Sequence, residues 1–409
     1  SAASDVYKRQ VDMKLSKLAK NLKPSATLAI TAKAKDLKSK GIDIIGFGAG
    51  EPDFDTPNNI KSAAKDSIDS GFTKYTAASG IIELKEAIRE RISIDYGLSY
   101  ENKEILVGSG AKHVLYNLFN VLIDNGDEVL IPAPYWVSYP EQVKISGGVP
   151  IIIQTKQKDG FKITKKQIAS RCNENTKILV LNYPSNPTGS TYNYDELSQI
   201  AEICKEKNLI VISDEIYDKI IYSNEKHISF PQLSEDAKNR TILVNGVSKT
   251  YSMTGWRIGY AAGNSEVISA MNNLSGQSTS NPTSISQKAA IEAFSGNQSK
   301  VEEMLGEFEI RKEYISSFLN EIEGVECFVP KGAFYVFPDI SYYFGKSFKG
   351  KEIRNSIEFT DFLLDHAKVA VVPGIEFGSD KHIRISYATS MNDIKEGTKR
   401  IKESLQDLL

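Results

Sequence analysis

Seven short runs of aliphatic and β-branched residues, at 104–107, 128–131, 150–155, 177–181, 209–213, 241–245 and 258–262, recur through the middle of the chain. Helical patterns separate most of them, the clearest at 111–123, 137–145 and 194–207. Parallel strands cannot be joined by a tight turn, and the crossover helices that join them cover both faces of the sheet. The alternation therefore predicts an α/β fold, with a mostly parallel seven-stranded sheet sandwiched by helices.

The pattern then changes. Residues 265–306 read as mainly helical, and 308–319 continue that pattern. Short strands near 325–329, 333–337 and 383–387, and a closing helix over 391–408, predict a second, smaller α+β domain. The expected division is a large domain over 58–306 and a small one over 307–409. Residues 13–57 are too short for a domain and are expected to pack on the smaller one. Residues 1–12 contain no apolar stretch with a small-residue cleavage site, so they read as a non-native or disordered extension. A short transit peptide is the alternative; Met13 opens a Lys-rich amphipathic stretch that reads as a natural start.

Composition narrows the function classes. A chain of 409 residues with 41% hydrophobic content can bury a substantial core without staples. Its 50 Lys+Arg against 52 Asp+Glu leave a formal charge of −2, so no charge excess marks a binder of nucleic acid or membrane surfaces. Cys172, Cys204 and Cys327 are odd in number and lack CxxC spacing, which argues against a disulfide framework or zinc ribbon. No apolar run approaches the ~18 residues of a membrane span. The four histidines, His113, His227, His366 and His382, include no i, i+4 pair, so no metal is expected. The expectation is a large cytoplasmic enzyme acting on small molecules, with neither nucleic acid nor membrane as partner.

In open α/β sheets ligands gather outside the carboxyl ends of the strands. After 104–107 come Gly108-Ser109-Gly110-Ala111-Lys112, opening a helix whose amides suit an anion. After 177–181 comes Asn182 and the run Asn186-Pro187-Thr188-Gly189; after 209–213 come Asp214, Glu215 and Tyr217. After 241–245 come Ser248 and Lys249, and then Arg257. Each has a plainer reading: a tight turn, a helix cap at Asp214, a surface lysine, a core tryptophan at Trp136. Those readings leave unexplained why an anion nest, an amide, a carboxylate and a lysine share one sheet edge.

The segment Ser248-Lys249-Thr250-Tyr251-Ser252-Met253-Thr254-Gly255-Trp256-Arg257-Ile258-Gly259 resembles the pyridoxal-phosphate attachment motif of class I aminotransferases. Further blocks resemble the family in the same order. They are Gly50-Glu51-Pro52-Asp53-Phe54-Asp55-Thr56-Pro57, Lys74-Tyr75-Thr76, Pro134-Tyr135-Trp136, Asn186-Pro187-Thr188-Gly189 and Ser213-Asp214-Glu215-Ile216-Tyr217. Gly332-Ala333-Phe334-Tyr335 and Arg384-Ile385-Ser386-Tyr387-Ala388 complete the set. The resemblance runs from about Leu15 to the C-terminus and is nearest to the bacterial-type aspartate aminotransferases of fold type I.

The resemblance implies pyridoxal 5'-phosphate held as a Schiff base to Lys249, with Asp214 beside the pyridine nitrogen. It implies Asn186 and Tyr217 on the phenolic oxygen and Trp136 on the ring face. The phosphate falls to the Gly110, Ala111 and Lys112 amides, with Arg257 and Ser248. Tyr75 resembles the tyrosine that reaches the phosphate from a neighbouring subunit, implying a homodimer with shared active sites. Arg384 matches the clamp on the substrate α-carboxylate, with the Gly50 backbone closing over it. Lys249, Asp214 and Tyr217 are the catalytic candidates, in a ping-pong transfer where the freed lysine acts as base and then acid.

Lys112, Ser25 and Thr27 resemble the residues that hold a distal carboxylate, which favours L-aspartate with 2-oxoglutarate, giving oxaloacetate and L-glutamate. Relatives with the same residues also act on prephenate, so a prephenate, aromatic or alanine aminotransferase stays open, as does a lyase on the same cofactor. One departure stands out: some relatives carry a hydroxyl three residues before the lysine as a phosphate ligand, and here that position is Gly246. A nicotinamide dehydrogenase would need GxGxxG, and the segments starting at Gly46 and Gly108 both lack the last glycine. A non-catalytic regulator on this fold would carry an added DNA-binding domain, for which no stretch before Met13 is expected to serve.

Overall fold

The computed structural model describes residues 13–22, 26–223 and 225–409, so the reading of 1–12 lies outside the described residues. Ile105–Gly108 (β1), Glu128–Ala133 (β2), Val149–Gln154 (β3), Thr176–Asn182 (β4), Ile210–Asp214 (β5), Thr241–Gly246 (β6) and Gly259–Ala262 (β7) form one sheet. Each overlaps one of the seven runs expected. The order across the sheet is β1-β7-β6-β5-β4-β2-β3. Pairings from β6 to β3 are parallel, whereas β7 runs antiparallel to both of its neighbours.

The strands read as unbroken apolar runs because both faces are covered. Ile105 and Val107 turn toward the helices Asn58–Asp69, Ile82–Tyr96 and Ser284–Ser295, while Leu106 turns toward Ala111–Leu122 and Ser265–Ser278. The helix Tyr194–Glu206 starts where Asn193 and Glu196 cap each other's backbone N–H groups in a capping box.

In the C-terminal part, Tyr335–Val336, Ile383–Ser386 and Val372–Pro373 form a three-stranded antiparallel sheet with Ile383–Ser386 at its centre. Helices Ser299–Asn320 and Met391–Leu405 cover it, through Phe308, Ile315 and Leu319 and through Ile394 and Ile401. Ile45–Gly46 pairs with Val369–Ala370, and Phe47 is fully buried in the same core. Ile216, Tyr217, Ile220 and Tyr222, from the turn after β5, enter that core too. The helix Ser299–Asn320 is continuous through residues 306 and 307.

One expected strand does not form. Over 325–329 the chain makes only an isolated bridge, Glu326 to Asp339. The Asn320 side chain takes both backbone groups of Cys327, donating to its carbonyl at 3.0 Å and accepting its N–H at 2.9 Å. Pro330, which has no N–H, follows at once.

Among the described residues no helix is long and apolar enough to cross a membrane, and no group of three or more His, Cys, Asp or Glu is arranged to hold a metal.

Candidate active site

A cavity of about 320 Å³ opens at the carboxyl ends of β4, β5 and β6, bounded on its far side by the strand Ile383–Ser386 and the backbone at 49–51. It gathers Gly50, Ala111, Lys112, Trp136, Asn186, Asp214, Tyr217, Ser248, Lys249, Arg257 and Arg384.

Asp214 is the last residue of β5 and is 4% exposed. Tyr139 donates its hydroxyl to Asp214 Oδ2 at 2.6 Å, and the Ile216 N–H donates to Oδ1 at 3.3 Å. Burial pushes the Asp214 carboxyl up to about 6, against the pull of these two donors. Asn182, at the end of β4, donates to the Asp214 carbonyl at 3.0 Å and accepts the Asn186 N–H at 2.9 Å. One side chain thus joins the two strand ends.

Lys249 lies in the turn after β6, and its ammonium donates to the Gly50 carbonyl at 2.5 Å. Burial lowers the amine to about 8; Glu51 and Asp214 oppose the shift, and Arg384 and Arg257 add to it. Tyr217 shares a hydrogen bond with Tyr335, hydroxyl to hydroxyl at 2.8 Å.

Arg384 is 2% exposed. Its Nη1 donates to Asn186 Oδ1 at 3.0 Å and its Nη2 to the Gly48 carbonyl at 2.7 Å, while Nε has no acceptor. The guanidinium lies 4.6 Å from the Tyr335 ring centroid and 5.0 Å from that of Phe377. No carboxylate among the described residues pairs with it, and burial holds its pKa below the ordinary value. A buried cation without a counterion is costly, and an arriving carboxylate removes that cost.

At the N-terminus of helix Ala111–Leu122, Gly110 adopts φ +89°, and its N–H turns back onto the Gly108 carbonyl at 2.7 Å. The Ser109 N–H donates to His113 Nδ1 at 3.3 Å. The expected trio of anion-binding amides is therefore reduced: the Gly110 amide is engaged, while those of Ala111 and Lys112 have no acceptor among the described residues. Gly110 serves by lacking a side chain, since a Cβ there would lie 2.2 Å from Arg257 Nη2. Gly259 is held to glycine likewise, by the Ala111 nitrogen 2.3 Å from where its Cβ would sit. Arg257 donates to the Thr254 and Ser109 carbonyls at 2.8 and 3.3 Å, and no carboxylate among the described residues pairs with it. Two free amides, an uncompensated guanidinium and the buried Ser248 suit a phosphate dianion.

Lys112 stands with its ammonium 4.9 Å from the Trp136 ring centroid, and Trp136 meets Tyr139 edge to face at 5.2 Å. An amine, a carboxylate, a group of anion-suited donors and an aromatic wall around one cavity match the functional groups of pyridoxal 5'-phosphate, and Arg384 lines the same cavity.

Tyr75 is 90% exposed and does not line the cavity of its own chain. Ser25 and the Thr27 side chain lie outside the described residues. The sequence reading gave no role to Tyr139, Asn182 or Tyr335. Tyr139 stands three residues after Trp136, one helical turn on, a spacing that could have flagged it.

Residues 42–401 match the family model described as aminotransferase class I and II. An aspartate aminotransferase of Bacillus sp. (strain YM-2) is 53% identical over 93% of this chain and 96% of its own length. A probable aspartate/prephenate aminotransferase of Rickettsia typhi is 48% identical, over 95% and 98%. Among solved structures, the aspartate aminotransferase from Rhizobium meliloti superposes with a TM-score of 0.94 at 42% identity, covering 97% of this chain and all of that one. The Thermus thermophilus aspartate aminotransferase with maleate gives 0.91 at 38% identity, covering 96% and 100%.

Proposed function

The chain belongs to the class I and II aminotransferases, and from that footing we propose that it moves the amino group of L-aspartate to 2-oxoglutarate, as a cytoplasmic homodimer with shared active sites. Enzymes of this family carry pyridoxal 5'-phosphate, whose conjugated ring, when bound, accepts the electron pair left by the departing α-proton. Lys249 would hold its aldehyde carbon, Asp214 its ring nitrogen, Asn186 and Tyr217 its phenolic oxygen, and Trp136 its ring face. Ala111, Lys112, Ser248 and Arg257 would hold the phosphate around the Gly110 turn, together with Tyr75 from a second copy of the chain.

The observation that carries the reading is the buried Arg384 guanidinium, uncompensated and facing the cavity that contains Lys249. Two of its five N–H donors are used, by Asn186 and Gly48, so Nε–H and one N–H on each Nη remain for a carboxylate. Two parallel bonds orient the α-carbon, and the Gly50 backbone closes the same side. Lys249, with its amine lowered to about 8, is neutral in about a tenth of molecules at pH 7. It takes the α-proton as base and, once protonated, is the acid for the next proton transfer, which goes to a different carbon. Lys112, with Ser25 and Thr27, receives the distal carboxylate of aspartate.

The test is the absorption spectrum of the purified holoenzyme with aspartate and no oxo acid. The expected result is loss of the long-wavelength band with release of one oxaloacetate per subunit. An unchanged spectrum overturns the aspartate assignment. Prephenate is the second reading, favoured by the Rickettsia typhi relative's name. It is examined by offering prephenate as acceptor to the aminated enzyme.

A further inference from the structure

The loop 73–80 carries Tyr75 on its outer side, and its backbone is tied down from three directions. Gln287, fully buried on the helix Ser284–Ser295, accepts the Ile81 N–H at 2.8 Å. Its amide nitrogen donates to Thr76 Oγ1 at 3.0 Å and to the Pro282 carbonyl at 2.9 Å. One side chain therefore spans the loop from the residue after Tyr75 to the start of the next helix. Lys85, 7% exposed on the helix Ile82–Tyr96, donates to Ser79 Oγ at 2.9 Å and to the Asn102 carbonyl at 3.3 Å. No carboxylate among the described residues pairs with it, and burial lowers its pKa. The third tie is backbone: the Val107 N–H of β1 donates to the Ser79 carbonyl at 3.0 Å.

Burying a lysine without a counterion to hold a surface loop is expensive, and Gln287 commits two of its three hydrogen bonds to the same loop. An aromatic side chain 90% exposed gives that loop no reward within its own chain. The expense makes sense if Tyr75 must meet a partner in a fixed position, because a free loop has to be ordered at the moment of contact and that cost is taken out of binding.

Resting on the homodimer reading above, we propose that Gln287 and Lys85 are positioning residues that preset the Tyr75 loop, so that one chain completes the phosphate site of the other. Neither touches the phosphate; both act through the direction in which Tyr75 points.

The test is a double-mutant cycle on the dissociation constant of pyridoxal 5'-phosphate, measured by titrating the apo-dimer with the cofactor and following its absorbance. Sedimentation velocity and apo-enzyme thermal unfolding are run alongside. Gln287→Leu is expected to weaken cofactor binding about tenfold in a chain that still dimerises. The same substitution in a Tyr75→Phe background is expected to change it less than about threefold. Equal weakening in both backgrounds overturns the positioning role while leaving the Tyr75 reading intact. A Tyr75→Phe dimer with wild-type affinity overturns the reading that Tyr75 reaches the partner's phosphate, and the proposal with it. If Gln287→Leu does not fold, Lys85→Met, which removes only the Ser79 and Asn102 bonds, is put through the same cycle with the same criteria.

Discussion

Arg384 is held by a neutral partner: its Nη1 bonds to the Oδ1 of Asn186 at 3.0 Å, with no acid among the described residues to cancel its charge. An amide there orients the guanidinium and leaves its charge uncancelled, as the proposed carboxylate clamp requires. A carboxylate at 186 would close an internal ion pair in the substrate's place.

Asn186→Asp is therefore expected to raise the KM for aspartate by about tenfold or more. Arg384→Lys keeps the charge but loses the planar fork, and should lower kcat/KM by about a hundredfold. Steady-state kinetics with a full aspartate series reads both. A wild-type KM in Asn186→Asp would count against the clamp.

Tyr139→Phe leaves Asp214 with the Ile216 N–H as its one remaining donor to the carboxylate among the described residues. The carboxyl, already pushed up to about 6 by burial, rises further, so less of it is ionised at neutral pH. kcat/KM should fall about tenfold at pH 7, and the deficit should widen as the pH drops toward 6. A pH-rate profile parallel to wild type would show that Tyr139 is only packing.

Lys249 makes a prediction about the apo-enzyme. Its folded pKa, about 8, lies below the ordinary lysine value of 10.5, so between those values the unfolded chain binds more protons and wild-type stability rises with pH. Below pH 8 the protonated amine is a standing cost. Lys249→Met should make the apo-protein more stable by about 2 kcal/mol at pH 7, with the gain fading between pH 8 and 10.5. Thermal unfolding across that range decides it; a gain independent of pH would point to packing instead.

Lys112 should separate substrates. Lys112→Met is expected to lower kcat/KM for aspartate about tenfold while changing that for L-alanine less than about threefold. Equal losses on both would assign Lys112 to the cofactor alone.

The sheet was legible because its strands are buried on both faces, so Leu179, Val180 and Leu181 could be apolar in succession. Lys249 and Asp214 stood out because charged residues after strand ends are conspicuous against such runs, and the motif around Lys249 is long, whereas Arg384 was reached only through the family resemblance. The partnership of Tyr139 with Asp214 was hidden. A tyrosine on an apolar helix face reads as core, and its hydroxyl meets an atom supplied by a distant strand. The missing strand at 325–329 failed for a related reason: an asparagine side chain captured backbone groups that local propensity had promised to a ladder. The engagement of the Gly110 amide likewise depends on a turn geometry that composition does not encode.

The sheet order carries one more consequence. Strand β1 sits at an edge, and its one strand neighbour is β7, the last of the seven to be synthesised. As the chain leaves the ribosome, β2 to β6 can assemble beside one another while the edge of β1 that meets β7 waits unpaired for 259–262 to emerge. The newborn chain thus carries an apolar strand with one open edge while residues 109–258 are made, and this interval is when a chaperone would matter most to its yield.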